Sequence, residues 1–181
     1  MPPHPSTSLA TTLHYTTTAT PIGIALAVAS EKGLVALRFP EGSPESALGQ
    51  IMAARREAAV RDDEALAPVV TELEQYFAGE RRRFDVALDL DGLAPFTRAA
   101  LEAICEIPYG ETAGYGEVAI TAGVPRAARA VGTACANTPI SVVIPVHRVV
   151  RSDGSLGEYG GRPEIKRALL ALESGIEGVL P

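Results

Sequence analysis

Hydrophobic positions along this chain follow two different periods, and the change from one to the other divides it. In the first 90 or so residues, short extended runs dominate. Residues 13–18, 22–29 and 34–39 are rich in apolar and β-branched side chains and are separated by the turn-forming Pro21 to Gly23 neighbourhood and by Glu31-Lys32-Gly33. They predict three strands of an antiparallel meander. Residues 46–59 read as a helix with loose apolar spacing. Residues 64–77 read as a stronger one, because Leu66, Val69, Val70, Leu73, Tyr76 and Phe77 recur at three- and four-residue intervals before Gly79. Phe84, Val86, Leu88 and Leu90 alternate again, which predicts a further strand over residues 84–90, and Asp91-Gly92 closes the half.

From Pro95 the spacing is helical. Phe96, Leu101, Ile104 and Cys105 form an apolar stripe on a helix that runs to about Glu106. Ile107-Pro108-Tyr109-Gly110 stops it, since proline disfavours helical geometry in the residue before it. A short helix over residues 115–122, a tight Gly123-Val124-Pro125 turn and a second helix over residues 126–136 follow, with Val131 and Cys135 facing the core. That is the helix-turn-helix pattern, although paired helices in any all-α packing look the same. Arg126 and Arg129 are spaced to share one face of the second helix. Ala127, Ala128, Ala130 and Gly132 let that face approach a surface closely, either a groove of DNA or another helix. Residues 140–144 then predict a strand-like segment that leads through Pro145 to His147 and Arg148 at the edge of the core. The glycine-rich stretch 152–161 lacks the Gly-Lys-Ser/Thr ending of a phosphate loop and is expected to form the flexible wall of a pocket. A last helix covers residues 165–174, opened by Arg162 or Pro163.

Composition narrows the class. The chain has 181 residues, 46% apolar and 21% charged, enough for one substantial core or two small ones. No uncharged apolar run reaches about 18 residues. The N-terminal stretch is rich in Thr, Ser and Pro and has no basic start or apolar middle, so a cytoplasmic protein with a loose tail and no membrane segment is expected. Cys105 and Cys135 are the only cysteines, too few for a disulfide framework, and are expected as inert core thiols. The first half has no cysteine, so no structural metal is expected there.

The net charge of -6 excludes a uniformly basic surface. It is unevenly spread: residues 118–152 contain Arg126, Arg129, Arg148 and Arg151 and no acid. Such a face can bind phosphates on an acidic protein, because screening limits electrostatic reach to about 8–10 Å at physiological salt. It is also what a solvated cationic face looks like.

Six motifs in order carry a resemblance to the O6-alkylguanine-DNA alkyltransferases. They are Ile107-Pro108-Tyr109-Gly110-Glu111-Thr112, Tyr115-Gly116-Glu117-Val118-Ala119, Ala128-Arg129-Ala130-Val131-Gly132, Ile144-Pro145-Val146-His147-Arg148-Val149, Gly157-Glu158-Tyr159-Gly160-Gly161 and Leu170-Ala171-Leu172-Glu173. Residues 95–175 resemble the C-terminal domain of that family throughout, and residues 10–90 resemble its N-terminal domain more weakly. The resemblance implies an α+β fold. After a tail of residues 1–10, it comprises a small N-terminal α/β domain with an antiparallel sheet (residues 11–91) and a helical, winged helix-turn-helix-like domain (residues 92–181).

The family's chemistry sets further expectations. Its helix-turn-helix enters the minor groove, an arginine replaces an extruded guanine, and the flipped base sits beside an acceptor cysteine. A histidine, a carboxylate and a water hold that cysteine as thiolate, and the protein is consumed in one turnover. Carried over, Arg129 is similar to the intercalating arginine and Tyr115 to the tyrosine that pushes on the target phosphate. Arg126, Ala128, Gly132 and Arg148 complete the implied DNA-binding set, with Arg148 equally able to tie its loop to the core. Tyr159 and Gly160 resemble the base-pocket wall, although Tyr159 could simply pack. His147 and Glu173 match the relay.

Two departures matter. The acceptor position holds Val146, which cannot take an alkyl group, so no functional catalytic residue and no cofactor is expected. Thr138 stands where the family has a bracing asparagine, with Asn137 beside it as a partial substitute. Two losses in one site point to decayed catalysis and to the alkyltransferase-like proteins, which lack the cysteine, bind alkylated guanine and flag it for other machinery. Those proteins usually have tryptophan or alanine at that position and lack the N-terminal domain, so this chain departs on both counts. The expectation is a monomeric, non-catalytic, base-flipping reader of O6-alkylguanine in double-stranded DNA, with nucleotide-excision-repair proteins as further partners. The alternative is an inactivated variant of a suicidal alkyltransferase whose acceptor cysteine belongs at residue 146. Cys135 is the only thiol near the site in sequence, and no histidine stands beside it. Without a thiol to activate, His147 is expected in a structural role, bonded to Glu173, and Val146 could be plain core filling.

Overall fold

The predicted meander forms as β1 (Leu13–Thr20), β2 (Gly23–Ser30) and β3 (Gly33–Arg38), each antiparallel to the next. A computed structural model describes residues 12–157 and 159–176, so the N-terminal tail, Glu158 and the last five residues lie outside the described residues. The fold is α+β, with a sheet half followed by a helical half.

The expected helix over residues 46–59 is displaced and shortened. Helix α1 spans Pro44–Arg55, capped by the Ser43 side chain, which accepts a hydrogen bond from the Ser46 amide at 3.1 Å. Arg56 takes a left-handed conformation that ends it. The chain then pairs with β1 in parallel as β4 (Ala59–Arg61), giving the sheet order β3-β2-β1-β4. Val60 is exposed, so backbone pairing rather than burial makes this strand, and apolar spacing carries no signal for it.

The expected strand over residues 84–90 is also corrected. Phe84, Val86 and Leu88 pack against the core and Leu90 is buried, as the alternation requires. Yet the segment pairs with β3 only around Leu88, where the Leu34 amide donates to the Ala87 carbonyl at 2.8 Å and the Asp89 amide donates to Leu34 at 2.9 Å. Upstream, the Asp85 amide is taken by the Glu72 carboxylate of α2 (Ala67–Phe77) at 2.8 Å.

The remaining edge of β3 goes to the second half. The Leu37 amide donates to the Pro139 carbonyl, and the Ser141 amide donates to Leu37, each at 2.9 Å. The second half comprises α3 (Pro95–Cys105), β5 (Ala113–Gly114), α4 (Tyr115–Thr121), α5 (Ala128–Ala136), β6 (Val149–Val150) and α6 (Pro163–Glu173), with β5 and β6 parallel. Arg126 lies in the turn before α5, not on the helix, so it does not share a helix face with Arg129 as expected. Residues 140–144 are not a strand either. They close a turn in which the Ile144 amide reaches the Ile140 carbonyl at 3.2 Å and Val142 sits at φ 70°. Positive φ is costly for a β-branched residue, and burial of Ile140, Val142 and Ile144 holds it there.

One sheet face carries α1, with Ala47, Leu48 and Ile51 against Leu13, Leu26, Val28 and Val35. The other face opens into a larger core that runs without a break from Leu37 and Tyr76 to Leu101, Ile104, Val131, Ile144 and Leu169. Cys105 is exposed at the end of α3, which corrects its expected place in the core. Among the described residues, no helix is long and apolar enough to cross a membrane.

Gly33 sits at φ 143°, and a Cβ there would lie 2.5 Å from the Ala87 carbonyl oxygen. Gly33→Ala should therefore destabilise the chain by about 1–3 kcal/mol or more, the strain alone setting the lower range. Gly42→Ala, where a Cβ meets nothing within 4 Å, should stay within about 0.5 kcal/mol. Urea unfolding of both variants measures the contrast.

Candidate functional site

Pro145 opens one turn of 3-10 helix, Val146–Arg148, whose three side chains are all buried. The turn sends Val146 towards a pocket and the next two residues towards the end of α6. There, Glu173 accepts five hydrogen bonds. Oε1 takes the Tyr76 hydroxyl at 2.7 Å, His147 Nε2 at 2.8 Å and Arg148 Nη2 at 3.0 Å. Oε2 takes Arg148 Nε at 2.9 Å and the Gly110 amide at 3.1 Å.

This arrangement settles the charges. Burial alone would raise the Glu173 pKa, but hydrogen bonds from His147 and Arg148 and the positive charge of Arg148 hold it at about 2. For His147, burial dominates. Together with Arg148 and Lys166 it outweighs the neighbouring carboxylate and lowers the ring's pKa, so the imidazole stays neutral. With Nε2 donating to Glu173, the proton sits on Nε2 and Nδ1 is an acceptor; Nδ1 is buried and has no hydrogen-bond partner. Arg148 turns its third nitrogen, Nη1, to the Ile107 carbonyl at 2.6 Å. At 7% exposure it ties the turn to the core, and its expected contact with DNA is corrected on that ground.

Sequence reasoning missed Tyr76 and Lys166. Tyr76 was legible only as one member of the α2 apolar stripe, but a fully buried tyrosine needs a partner for its hydroxyl, and Glu173 is that partner. Burial and the carboxylate push its pKa far up, so it remains a donor. Lys166, 1% exposed, donates to the Val149 carbonyl at 2.6 Å.

Val146, 3% exposed, contributes to the floor of a pocket of about 160 Å³ whose walls include Phe39, Cys135, Thr138, Tyr159 and Gly160. Burial raises the Cys135 thiol to about 11, leaving almost no thiolate at neutral pH. Thr138 Oγ1 is buried without a partner. Asn137 does not take over its bracing place, because it is exposed and donates to the Thr133 carbonyl of its own helix at 2.8 Å.

Tyr115 opens α4, half-buried, with its ring 3.8 Å from where a Cβ on Gly132 would stand. A Cβ on Gly157 would come within 2.8 Å of its hydroxyl, so both glycines permit close backbone approach to the ring. Ala128 is half-buried at the start of α5, while Arg129, Arg126 and Arg151 are exposed. Three of the four arginines of residues 118–152 thus face solvent. Among the described residues, no cluster of three His, Cys, Asp or Glu side chains could hold a metal ion.

A sheet half joined to a helix-turn-helix half around a buried Glu-His pair is the build of a DNA-binding alkyltransferase. Residues 95–175 match the profile of the 6-O-methylguanine DNA methyltransferase DNA binding domain, and residues 13–90 match that of the 6-O-methylguanine DNA methyltransferase ribonuclease-like domain. The chain belongs to the 6-O-methylguanine DNA methyltransferase family. It is 40% identical over 161 residues to the methylated-DNA–protein-cysteine methyltransferase of Mycolicibacterium paratuberculosis, covering 89% of this chain and 92% of that one. The crystal structure of Mycobacterium tuberculosis O6-methylguanine methyltransferase is similar at a TM-score of 0.78 and 40% identity, over 90% of this chain and 93% of that one. A structure of the Mycobacterium tuberculosis protein OGT in complex with DNA matches at 0.77 and 40%, over 90% and 94%.

The pKa shifts predict an acid-sensitive fold. His147 resists protonation when folded, so its contribution is complete above about 6.5 and begins to fall as pH drops below that value. Glu173 moves from 4.5 to about 2 on folding, so its contribution, about 3 kcal/mol, is complete above 4.5 and is lost as pH falls towards 2. Thermal unfolding followed from neutral to acid pH should show Tm falling below about 6.5 and more steeply below 4.5. In Glu173→Gln the second, steeper loss should be smaller, on a Tm already lowered, with the remainder coming from other carboxylates held below their usual pKa, such as Asp89 and Asp91.

Proposed function

We propose that this protein is a non-catalytic reader of O6-alkylguanine in double-stranded DNA, flipping the base into the pocket beside Val146. One observation carries the reading: Val146, which the motif resemblance puts at the place of the family's alkyl acceptor, is a buried, apolar pocket residue with no nucleophilic atom. The similarity to an OGT bound to DNA supports DNA as the partner. Tyr115, Ala128, Arg129 and Gly132 form the proposed groove-facing surface, with Arg129 filling the space of the extruded base and Arg126 and Arg151 drawing on the phosphates. Tyr159 and Gly160 hold the base, and Val146 meets its alkyl group. An O6-methyl in contact with valine gains about 0.8 kcal/mol, roughly fourfold in affinity. A reader that cannot remove the lesion must hand it on, and nucleotide-excision-repair proteins are the proposed recipients in a cytoplasmic, monomeric setting.

A second reading is favoured by the Glu173-His147 pair, which is intact and leaves Nδ1 one residue from position 146 as a buried acceptor with no partner. On this reading the chain is an inactivated form of a single-turnover alkyltransferase.

Gel shifts with matched duplexes should show tighter binding to O6-methylguanine than to guanine, and equal affinities would sink the lesion-sensing role. Arg129→Ala should weaken binding to both duplexes; an unchanged affinity would remove it from the flipping step. Val146→Cys tests the second reading. Incubated with a methylated duplex, it should gain the mass of one methyl group on that cysteine, and the absence of any transfer would count against an acceptor position at 146.

A further inference from the structure

Beside the base pocket lies a larger cavity of about 510 Å³. The two meet along one wall, because Phe39, Ala136, Thr138 and Ser141 line both. At about 160 Å³ the base pocket is small against the several hundred Å³ of ordinary ligand clefts, so a flipped purine leaves little room in it for a long O6 substituent. The shared wall is where further space opens.

The larger cavity has its own chemistry. Its far side is built by the first half of the chain: Arg38 at the end of β3, and Ser43, Ser46 and Gln50 around the start of α1. No carboxylate lines it. Glu41 and Glu45, the nearest acids in sequence, are exposed, and Glu41 stands 3.9 Å from Arg162. Arg38 is half-buried, and among the described residues its side chain makes no hydrogen bond or ion pair. It also borders a cavity containing Asp89 and Asp91, but Ser30 and Arg55 occupy the first of these acids, and Lys32 and Arg98 the second. A partly desolvated cation is ordinarily paired. Thr138 adds an independent sign on the shared wall, since its buried hydroxyl has no partner and such groups are ordinarily bonded.

We propose that this cavity is a subsite for the O6 substituent of the flipped guanine, selective for long substituents that end in a carboxylate. Arg38 binds the acid and the Thr138 hydroxyl bonds to the substituent where it crosses the shared wall. The inference rests on the base-pocket reading above and adds to it a lesion class and a role for the first half of the chain.

The test uses the full chain and three matched duplexes, carrying O6-methylguanine, O6-(carboxybutyl)guanine or its neutral amide, O6-(carbamoylbutyl)guanine, with unmodified guanine as reference. Acid and amide have nearly the same size and sit in the same DNA, so any attraction of Arg38 to phosphate cancels between them. Fluorescence anisotropy should show the acid bound about tenfold more tightly than the amide, as a charge-assisted hydrogen bond supplies. Arg38→Gln should abolish that preference and Arg38→Lys should retain part of it. Equal affinity for acid and amide, with O6-methylguanine still preferred to guanine, overturns the subsite and leaves the base pocket standing. Equal affinity for all four duplexes overturns both. A preference for the acid that survives Arg38→Gln overturns the assignment to this cavity.

Discussion

The geometry of the site depends on one buried anion. Glu173 gathers Tyr76 from α2, the Gly110 amide from the loop after α3, and His147 and Arg148 from the turn that presents Val146. A carboxylate without solvent contact is tolerable only when its lone pairs are filled, and here five donors fill them. The arrangement is therefore close to all-or-none. Deleting the acid strands Arg148, and deleting Arg148 leaves the acid undercompensated. Breaking such a pair costs about 3–5 kcal/mol, a large share of any domain's stability.

A second constraint joins the halves. β3 is an edge strand, and its unpaired groups would invite association. Residues 87–89 cover one part of that edge and residues 139–141 the other, so the loop that leads to Val146 is held by the sheet's own hydrogen-bonding groups. Tyr76 supplies a further link, from α2 to Glu173. The first half is thus part of the frame that fixes the site, and its Phe39 and Ile22 also reach the wall of the pocket beside Val146.

Much of this was legible in the sequence, and the failures have physical reasons. The meander and helices α2 to α6 follow from periodicity, because each buries a face. β4 escaped because it is held by backbone pairing with an exposed side chain, Val60. The segment at Phe84 and the run at Ile140 looked like strands because burial alternates along both, yet each exchanges only two hydrogen bonds with β3, one donated and one accepted. Arg126 was misplaced because α5 begins two positions after it, a distance that helix spacing alone cannot judge. In the site, the pairing of His147 with Glu173 came from the family resemblance, whereas Tyr76 and Lys166 went unnoticed because a buried polar atom in an apolar stripe leaves no periodic trace. The occupation of Arg148 by Glu173 depended on a contact 25 residues away.

The same network decides which residues around the turn are free to vary. A side chain at residue 146 donates nothing to Glu173, so exchanging a thiol for an isopropyl group there leaves all five hydrogen bonds in place and alters only the surface of a small pocket. His147 and Glu173 have no such freedom. Replacing either breaks a buried, charge-assisted network that positions Arg148, Gly110 and the turn itself. Stability alone therefore holds the Glu173-His147 pair in place whatever side chain stands at residue 146, so the pair by itself does not decide between a reader and a transferase. The informative residue is the one that the network does not constrain, and that residue is Val146.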